Sequence, residues 1–238
     1  MHSVPGMSTA LERSSSRVAL EDLLADAGGA MVMRGGHRVA THFSSVAAEL
    51  AVCRRSVGLA ERSDLGTLEL RGSGSAVQAV LRQLTGDGLA PGAAVRASEA
   101  WWCLLTPHRA LVLCPGESRD ALLAGLLEAA GEAEGASAVD LSGDYAALLL
   151  IGPRAEQLVR STSLVADASA SLPVGGLQVV SGRRPAVLLR EESDRFLALV
   201  PRVHACETWE RLLGAGRPYG LACVGRNALD LLRAGAPA

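Results

Sequence analysis

The side chains best spaced for chemistry are carboxylates: Glu191, Glu192 and Asp194 cluster together, and Asp140 and Asp144 lie four positions apart. Acid–base catalysis needs one such carboxyl desolvated beside the reacting atom. The Glu191–Asp194 run reads more simply as a polar hairpin tip, and Asp140, just before Ser142, as the shaper of a turn. His37 and His42 are five positions apart, but a zinc site wants three or four converging ligands, and only Glu49 lies nearby. These histidines, and the isolated His2, His108 and His204, read as surface or partly buried groups, and no metal site is expected. Gly72-Ser-Gly74-Ser-Ala-Val77 follows a predicted strand and opens a predicted helix, where free helix N–H groups can cradle a phosphate. Val77 stands where a third glycine would allow close helix–strand packing, so the segment reads as a tight strand-to-helix turn. No nucleophile elbow, Walker loop or HExxH motif occurs.

All 23 strong cations are arginine, so Schiff-base lysine chemistry is excluded. The five cysteines, Cys53, Cys103, Cys114, Cys206 and Cys223, form no CxxC motif, and two of them sit inside apolar runs. Buried, reduced thiols in a cytoplasmic protein are expected. Trp101 and Trp102 are consecutive on a predicted strand, so their rings point to opposite faces. One belongs to the core. The other lies at the surface, at an interface, or in a pocket where a flat pterin-like ring could stack on it.

The elements that must position these groups form two similar runs. The first has a strand at Thr67–Arg71, a glycine turn, a helix at Ala76–Leu84, a hairpin of Trp101–Leu105 with Ala110–Cys114, a proline stop, and a helix at about Arg119–Ala133. The second has a strand at Ala146–Ile151, Gly152-Pro153 leading a helix, Leu177–Val180, a hairpin of Ala186–Arg190 with Arg195–Val200, Pro201, and a helix at Val203–Leu213. Before them, Leu20–Asp26 and a segment from Val46 to near Gly58 read as helical, the latter capped by Ser44 or Ser45. Residues 1–17 are polar and serine-rich and read as a disordered tail. Residues 18–238 then form the folded unit, with pseudo-repeats over about 67–134 and 146–214 and a junction near Gly135–Val139. Hairpins alternating with helices predict an α+β fold: two antiparallel sheet-plus-helix subdomains packed together.

A net charge of -2 gives no basic face for nucleic acid, although Arg54-Arg55 and Arg183-Arg184 are local pairs. No apolar run reaches the ~20 residues of a membrane span, and the N-terminus lacks an apolar signal core, so a cytoplasmic protein is expected.

Gly29-Ala30, Gly35-Gly36, Ser44-Ser45, Glu49, Arg54, Gly58-Leu59, Ser63 and Gly66 follow in the order seen at the opening of glycine cleavage T-proteins. Asp140-Leu-Ser142, Gly152-Pro153-Arg-Ala155, Leu199-Val-Pro201, Trp209 and Pro218-Tyr-Gly220 continue the resemblance over roughly residues 20–235. It implies the folate-binding domain of that family, with tetrahydrofolate as cofactor between the two halves. The departures imply a change of role. The family's Gly-Gly-Asp-Asp loop before the strand at Trp101 is shortened to Ser98-Glu99, which leaves Glu99 as the substitute for its catalytic aspartate. The family's asparagine, expected near Cys114-Pro115, is absent. Its Arg-Thr-Gly-Tyr-Thr-Gly-Glu segment is reduced to Arg190–Arg195, with Arg190 and Glu192 as remnants. The barrel-like domain that usually follows is expected to be lacking. The resemblance thus implies a tetrahydrofolate-binding protein of one-carbon or amine metabolism with lost or reduced aminomethyltransferase activity. Glu99, Trp101, Arg190 and Glu192 are its expected ligand contacts. Alternatively, it implies a non-catalytic partner of larger catalytic subunits, similar to the gamma subunit of sarcosine oxidase.

Overall fold

The structure is a computed structural model that describes residues 20–34, 37–62, 64–162, 164, 171–180 and 185–235. The expected tail at 1–17, Gly35-Gly36, Ser63 and Arg183-Arg184 lie outside the described residues.

The chain opens with a helix described over residues 20–26 (α1) and a small hairpin of β1 (Met31–Arg34) and β2 (His37–Ala40). Helix α2 (Val46–Arg55) and strand β3 (Val57–Glu61) follow. Next comes β4 (Leu65–Gly72), α3 (Gly74–Thr85), β5 (Ala93–Ala97), β6 (Ala100–Thr106), β7 (Arg109–Pro115), α4 (Arg119–Glu132) and β8 (Ala136–Asp140). The remainder is β9 (Tyr145–Ile151), α5 (Ala155–Ser161), β10 (Leu177–Val180), β11 (Ala186–Glu192), β12 (Arg195–Pro201), α6 (Ala205–Gly216), β13 (Leu221–Cys223) and α7 (Arg226–Arg233).

The run from β4 to β8 makes a five-stranded antiparallel sheet in the order β5-β6-β7-β4-β8. The run from β9 to β13, joined by β3, makes a six-stranded sheet in the order β10-β11-β12-β9-β3-β13. With β3 set aside, the two orders are the same. Among the described residues, only β13 pairs in parallel, on β3.

Each sheet is buried on both faces, so its strands read as nearly continuous apolar runs rather than alternating ones. Even-numbered side chains of β6 and β7, among them Trp102, Leu104 and Val112, pack outward under α3 and α4. Leu148, Leu150, Phe196 and Ala198 pack outward under α1, α5 and α6. The odd-numbered Cys103, Leu111, Leu149, Leu197 and Leu199 meet in a third core between the sheets. The fold is therefore α+β, layered helix–sheet–sheet–helix. Along one side the sheets join: Ala93 bridges to Gly176, Ala94 N donates to the Gly175 carbonyl at 2.6 Å, and Leu177 N donates to that of Gly92 at 2.8 Å.

Helices α2 and α7 pack against the inter-sheet core through Cys53, Ala228 and Leu229. Ser45 caps α2, its hydroxyl accepting from Ala48 N at 3.2 Å. Glu49, in the first turn of α2 and 1% exposed, holds the arrangement together. Its carboxylate accepts from Phe43 N at 2.5 Å, Ser44 N at 2.9 Å and Gly225 N at 2.9 Å. Gly225 lies so close to the chain at Thr41 that a Cβ there would come within 2.3 Å of backbone.

Several boundaries differ from the sequence reading. The helix predicted to run to near Gly58 ends at Arg55, because Val57–Glu61 is taken into the large sheet as β3, with Val57 and Leu59 fully buried. The segment read as a junction, Gly135–Val139, is largely edge strand β8, its ladder to β4 outweighing a weak apolar pattern. Helix α5 starts at Ala155, two residues after Pro153, which belongs to the preceding turn.

Replacing Glu49 by glutamine puts an amide donor against backbone donors and removes charge-assisted bonds, and should cost about 3 kcal/mol. Urea unfolding of Glu49→Gln checks the magnitude. Hydrogen exchange should show α7 protection falling more than that of α3.

Candidate functional site

A cavity of about 570 Å³ opens between the two sheets. Its apolar wall takes Trp101 and Leu113 from the five-stranded sheet and Ile151 and Leu197 from the six-stranded one. Trp102, on the opposite face, is 2% exposed and donates from Nε1 to the Ala97 carbonyl at 3.2 Å. Alternation along β6 therefore makes one tryptophan core and turns the other to the cavity.

Glu99 lies on the lip. Residues Ser98 and Glu99 form the two-residue connection between β5 and β6, flanked by the Ala97–Ala100 pair, with φ of 48° and 61°. A turn with two left-handed residues matches the strand twist and is the usual place for Asn-Gly. Neither Ser nor Glu favours that conformation.

Glu192 and Glu191 come from the end of β11, and Asp194 and Arg195 from the turn and start of β12. Arg195 and Glu191, both about nine-tenths buried, form an ion pair of 2.7 Å. Arg190 is placed elsewhere. It follows Ala186 and Leu188 on the outer face of β11, stacks over the Phe196 ring at 5.1 Å, and donates to the Leu172 carbonyl at 2.7 Å. It also bonds Glu156 of α5 at 3.1 Å and the Ser193 carbonyl at 2.6 Å. A register shift between Arg190 and Glu192 breaks the alternation, so Glu192 reaches the cavity while Arg190 does not. The structure thus brings Glu99, Trp101 and Glu192 together and separates Arg190 from them.

The remaining wall was not foreseen. Arg62 and Asp64 stand between β3 and β4, and Arg226 and Arg233 at the two ends of α7. Arg62, 2% exposed, grips Asp64 bidentately at 2.7 and 2.9 Å. Arg226 pairs with the same carboxylate, and with Asp230 at 2.6 Å. Burial pushes the Asp64 carboxyl up, but the guanidinium of Arg62, followed by that of Arg226, outweighs it and holds Asp64 well below the usual carboxylate range. Charged residues in a short break between two apolar strands were the available signal for Arg62 and Asp64. For α7, the signal was arginines placed seven apart, on one helix face.

Other predicted features have structural roles. Ser73 caps α3, accepting from Ala76 N at 3.2 Å, and Val77 is fully buried in the outer core. Asp140 accepts from Ser142 N at 2.8 Å and Oγ at 2.5 Å, and that Oγ accepts from Thr67 N at 2.9 Å. His42 contacts the Thr41 hydroxyl at 3.2 Å. No group of three metal-ligating side chains comes together among the described residues. Cys53, Cys103 and Cys114 are buried, Cys206 and Cys223 half-buried, and all five are free thiols. Burial pushes the thiols of Cys53, Cys114 and Cys223 up to about 11.

Residues 20–236 match the model of the GCVT N-terminal domain family. The chain belongs to that family. It is 30% identical over 236 residues to the aminomethyltransferase of Bacillus subtilis (strain 168), covering 91% of this chain and 63% of that protein. It is 29% identical to the aminomethyltransferase of Symbiobacterium thermophilum, covering 94% of this chain and 64% of the other. The chain thus spans less than two thirds of the length of these relatives. Among solved structures, glycine cleavage system aminomethyltransferase T from Bartonella henselae superposes with a TM-score of 0.75 at 19% identity, over 92% of this chain and 62% of that one. A chain of heterotetrameric sarcosine oxidase from Corynebacterium sp. U-96, solved in complex with pyrrole 2-carboxylate, superposes with a TM-score of 0.61 at 27% identity. That match covers 74% of this chain and 93% of the other. The fold is similar to that of the T-protein. No described helix is long and apolar enough to cross a membrane.

Two predictions follow from the site's electrostatics and backbone. Asp64 has a folded-state pKa below its unfolded value near 3.9. Its contribution is therefore complete above about pH 4 and fades as pH falls from there towards the folded pKa. Asp64→Asn should destabilise by about 3 kcal/mol at pH 7, because it strands a buried guanidinium. The gap to wild type should narrow below about pH 4 in acid unfolding curves. Conversely, Ser98→Asn with Glu99→Gly should stabilise by about 1–2 kcal/mol, read as a higher urea midpoint, by relieving the left-handed strain.

Proposed function

We propose that the cavity between the two sheets binds a flat reduced-folate ligand, tetrahydrofolate or a close relative, with aminomethyl transfer lost or reduced. The observation that carries this reading is the position of Trp101: its indole forms part of the inter-sheet cavity wall, and Glu99 and Glu192 stand at the same opening. A ring stacked there gains offset aromatic contact and apolar burial, and nearby carboxylates can accept from ring N–H and amino groups. A volume of about 570 Å³ suits a ligand of that class.

The same geometry argues against efficient transfer. A catalytic carboxylate must be desolvated and fixed near the reacting atom. Glu99 is exposed on a two-residue turn, and no hydrogen bond or ion pair fixes its side chain among the described residues. If residual transfer occurs, Glu99 is its carboxylate, and Glu99→Gln should lower the rate by about 100-fold. An unchanged rate removes Glu99 from that role.

Calorimetric titration with a reduced folate tests the binding reading. Saturation in the micromolar to sub-millimolar range is expected, with Trp101→Ala weakening it by at least about tenfold. No heat at high micromolar ligand, with the protein folded, overturns it.

The sarcosine oxidase match favours a second reading. It covers 93% of that chain and 74% of this one at 27% identity, so most of the fold is shared with a chain that works within a heterotetramer. On this reading the protein is a non-catalytic partner of larger catalytic subunits. Gel filtration of the native complex distinguishes the two: co-elution with larger subunits supports the partner role, and a lone monomer with tight folate binding excludes it.

A further inference from the structure

We propose that the open edge of strand β8 takes up an extended segment of another protein, a strand with an apolar centre and a basic residue at each end. The pairing of the two sheets carries the argument. Strand β8 borders β4 as β3 borders β9, each running antiparallel to its neighbour. On its far side β3 is covered by β13. The same side of β8 has no partner strand among the described residues. Leu141 N donates to the Thr67 carbonyl at 2.8 Å, so the positions bonded to β4 are the odd-numbered ones. Ala138 and Asp140 therefore turn their N–H and C=O groups outward. The ladder to β4 runs from Ala136 to Asp140 without a bulge, and no proline interrupts it. An edge with these features is open to strand addition.

Apolar side chains flank the edge on both faces. Ala136 and Ala138 pack under α4 in the outer core, and Val139, on the opposite face, is 47% exposed. Arg119 reaches Asp140 at 3.6 Å, while Glu132 accepts from Gln83 of α3 at 2.8 Å, so opposite flanks of α4 face β8 and α3. Leu127 lies on the β8 flank and is 51% exposed. It is the ninth residue of α4, and the ninth of α6 is Leu213. Leu213 is half-buried against the core to which Leu221 of β13 also belongs. A strand on β8 would cover Leu127 and Val139 in the same way.

Charge selects the occupant. At the Asp140 end, Arg119 faces two carboxylates, Asp120 at 2.9 Å and Asp140 at 3.6 Å. At the Ala136 end, Glu134 stands exposed in the turn into β8, and neither it nor Glu132 has an ion pair among the described residues. Arg71, beside Ser137, is closed onto Glu69 at 2.6 Å, a carboxylate shared with Arg109. Both ends of the edge are therefore acidic, and a basic residue at each end of the added strand matches them. A second copy matches less well: an antiparallel pair centred on Ala138 sets Asp120 and Asp140 of one copy against Glu134 of the other. None of these residues lines the inter-sheet cavity, so the inference owes nothing to reduced-folate binding. It gives the partner-subunit reading its surface, and rests on that reading for the source of the strand.

The test titrates the full chain against a rhodamine-labelled peptide, Arg-Val-Thr-Val-Thr-Val-Arg, read by anisotropy at physiological ionic strength. Saturation is expected with a Kd on the order of 100 μM. Hydrogen exchange at the Ala138 and Asp140 amides should slow, while Val139, already bonded to β4, should not change. Replacing the central valine of the peptide by proline, or both arginines by glutamate, should abolish saturation. Ala138→Pro removes an outward donor without breaking a bond to β4 and should abolish binding. Glu134→Arg, on the surface, decides the matter if that variant does not fold: it should weaken binding at least about fivefold with an unchanged unfolding midpoint. No saturation below about 2 mM peptide, or equal binding by wild type and Glu134→Arg, overturns the proposal. A doubling of mass in sedimentation that Leu127→Ser abolishes assigns the edge to a second copy and also overturns it. Co-elution with larger subunits that persists in both Glu134→Arg and Leu127→Ser overturns it too, and leaves the partner-subunit reading in place.

Discussion

The carboxylate of Glu49 is the contact on which the geometry of the site depends. It is almost completely buried and accepts from three backbone N–H groups, two just before α2 and one at Gly225. A buried carboxylate is costly unless such donors surround it. Here they come from segments 176 residues apart, so the N-terminal third and the last helix can satisfy the charge only in one relative placement. Helix α7 carries Arg226 and Arg233, and Glu49 therefore fixes the direction from which those arginines approach the cavity. Gly225 is part of the same constraint: its missing Cβ lets the chain run against Thr41, where Asn227 N also donates to the Thr41 carbonyl at 3.0 Å.

The two sheets show why most of the fold was legible. Runs such as Ala146–Ile151 and Phe196–Val200 are apolar on both faces, which marks doubly covered strands, and the turns between them carry Pro, Gly or charge. The repeated order of strand, helix, hairpin and helix follows from that pattern. What failed were the strands with no strong local signal. The start of β3, Val57 and Gly58, was absorbed into a helix reading because the apolar pattern continues through Ser56, and residues 59–61 were assigned to no element. Ala136–Asp140 alternates only weakly and owes its conformation to β4. In both cases a partner distant in sequence decides the structure, and local periodicity cannot report it.

The site was legible to a different degree. Strand alternation alone separates Trp101 from Trp102, and the resemblance at the shortened loop pointed to Glu99. Glu192 and Arg190 were taken as a pair, yet one register irregularity sends them to opposite sides of the sheet. An irregularity of that kind depends on the ladder to β12 and leaves no mark in composition. The arginine wall was missed for a related reason. Arg62, Arg226 and Arg233 are far apart in the chain, and each is unremarkable where it stands: a loop cation, a first-turn residue and a helix C-terminal cation of the kind the helix dipole favours.

The charges also explain why there is a cavity at all. Two sheets with inner faces of Leu, Ala, Val and Ile gain by closing on one another, and over most of their area they do. At the open end, closure would press Arg62, Asp64, Arg226, Arg195 and Glu191 into a dry interface. Ion pairs already formed there would lose their remaining contact with water, and desolvation of a buried pair commonly exceeds its Coulombic gain. Collapse would also force Arg233 and Glu99 against apolar walls without partners. The cavity is thus held open by groups that resist dehydration, above a wall of Trp101, Leu113, Ile151 and Leu197 that would welcome it. A ligand that fills the space must satisfy both demands at once: an apolar, flat body for the wall and a charged end for the arginines.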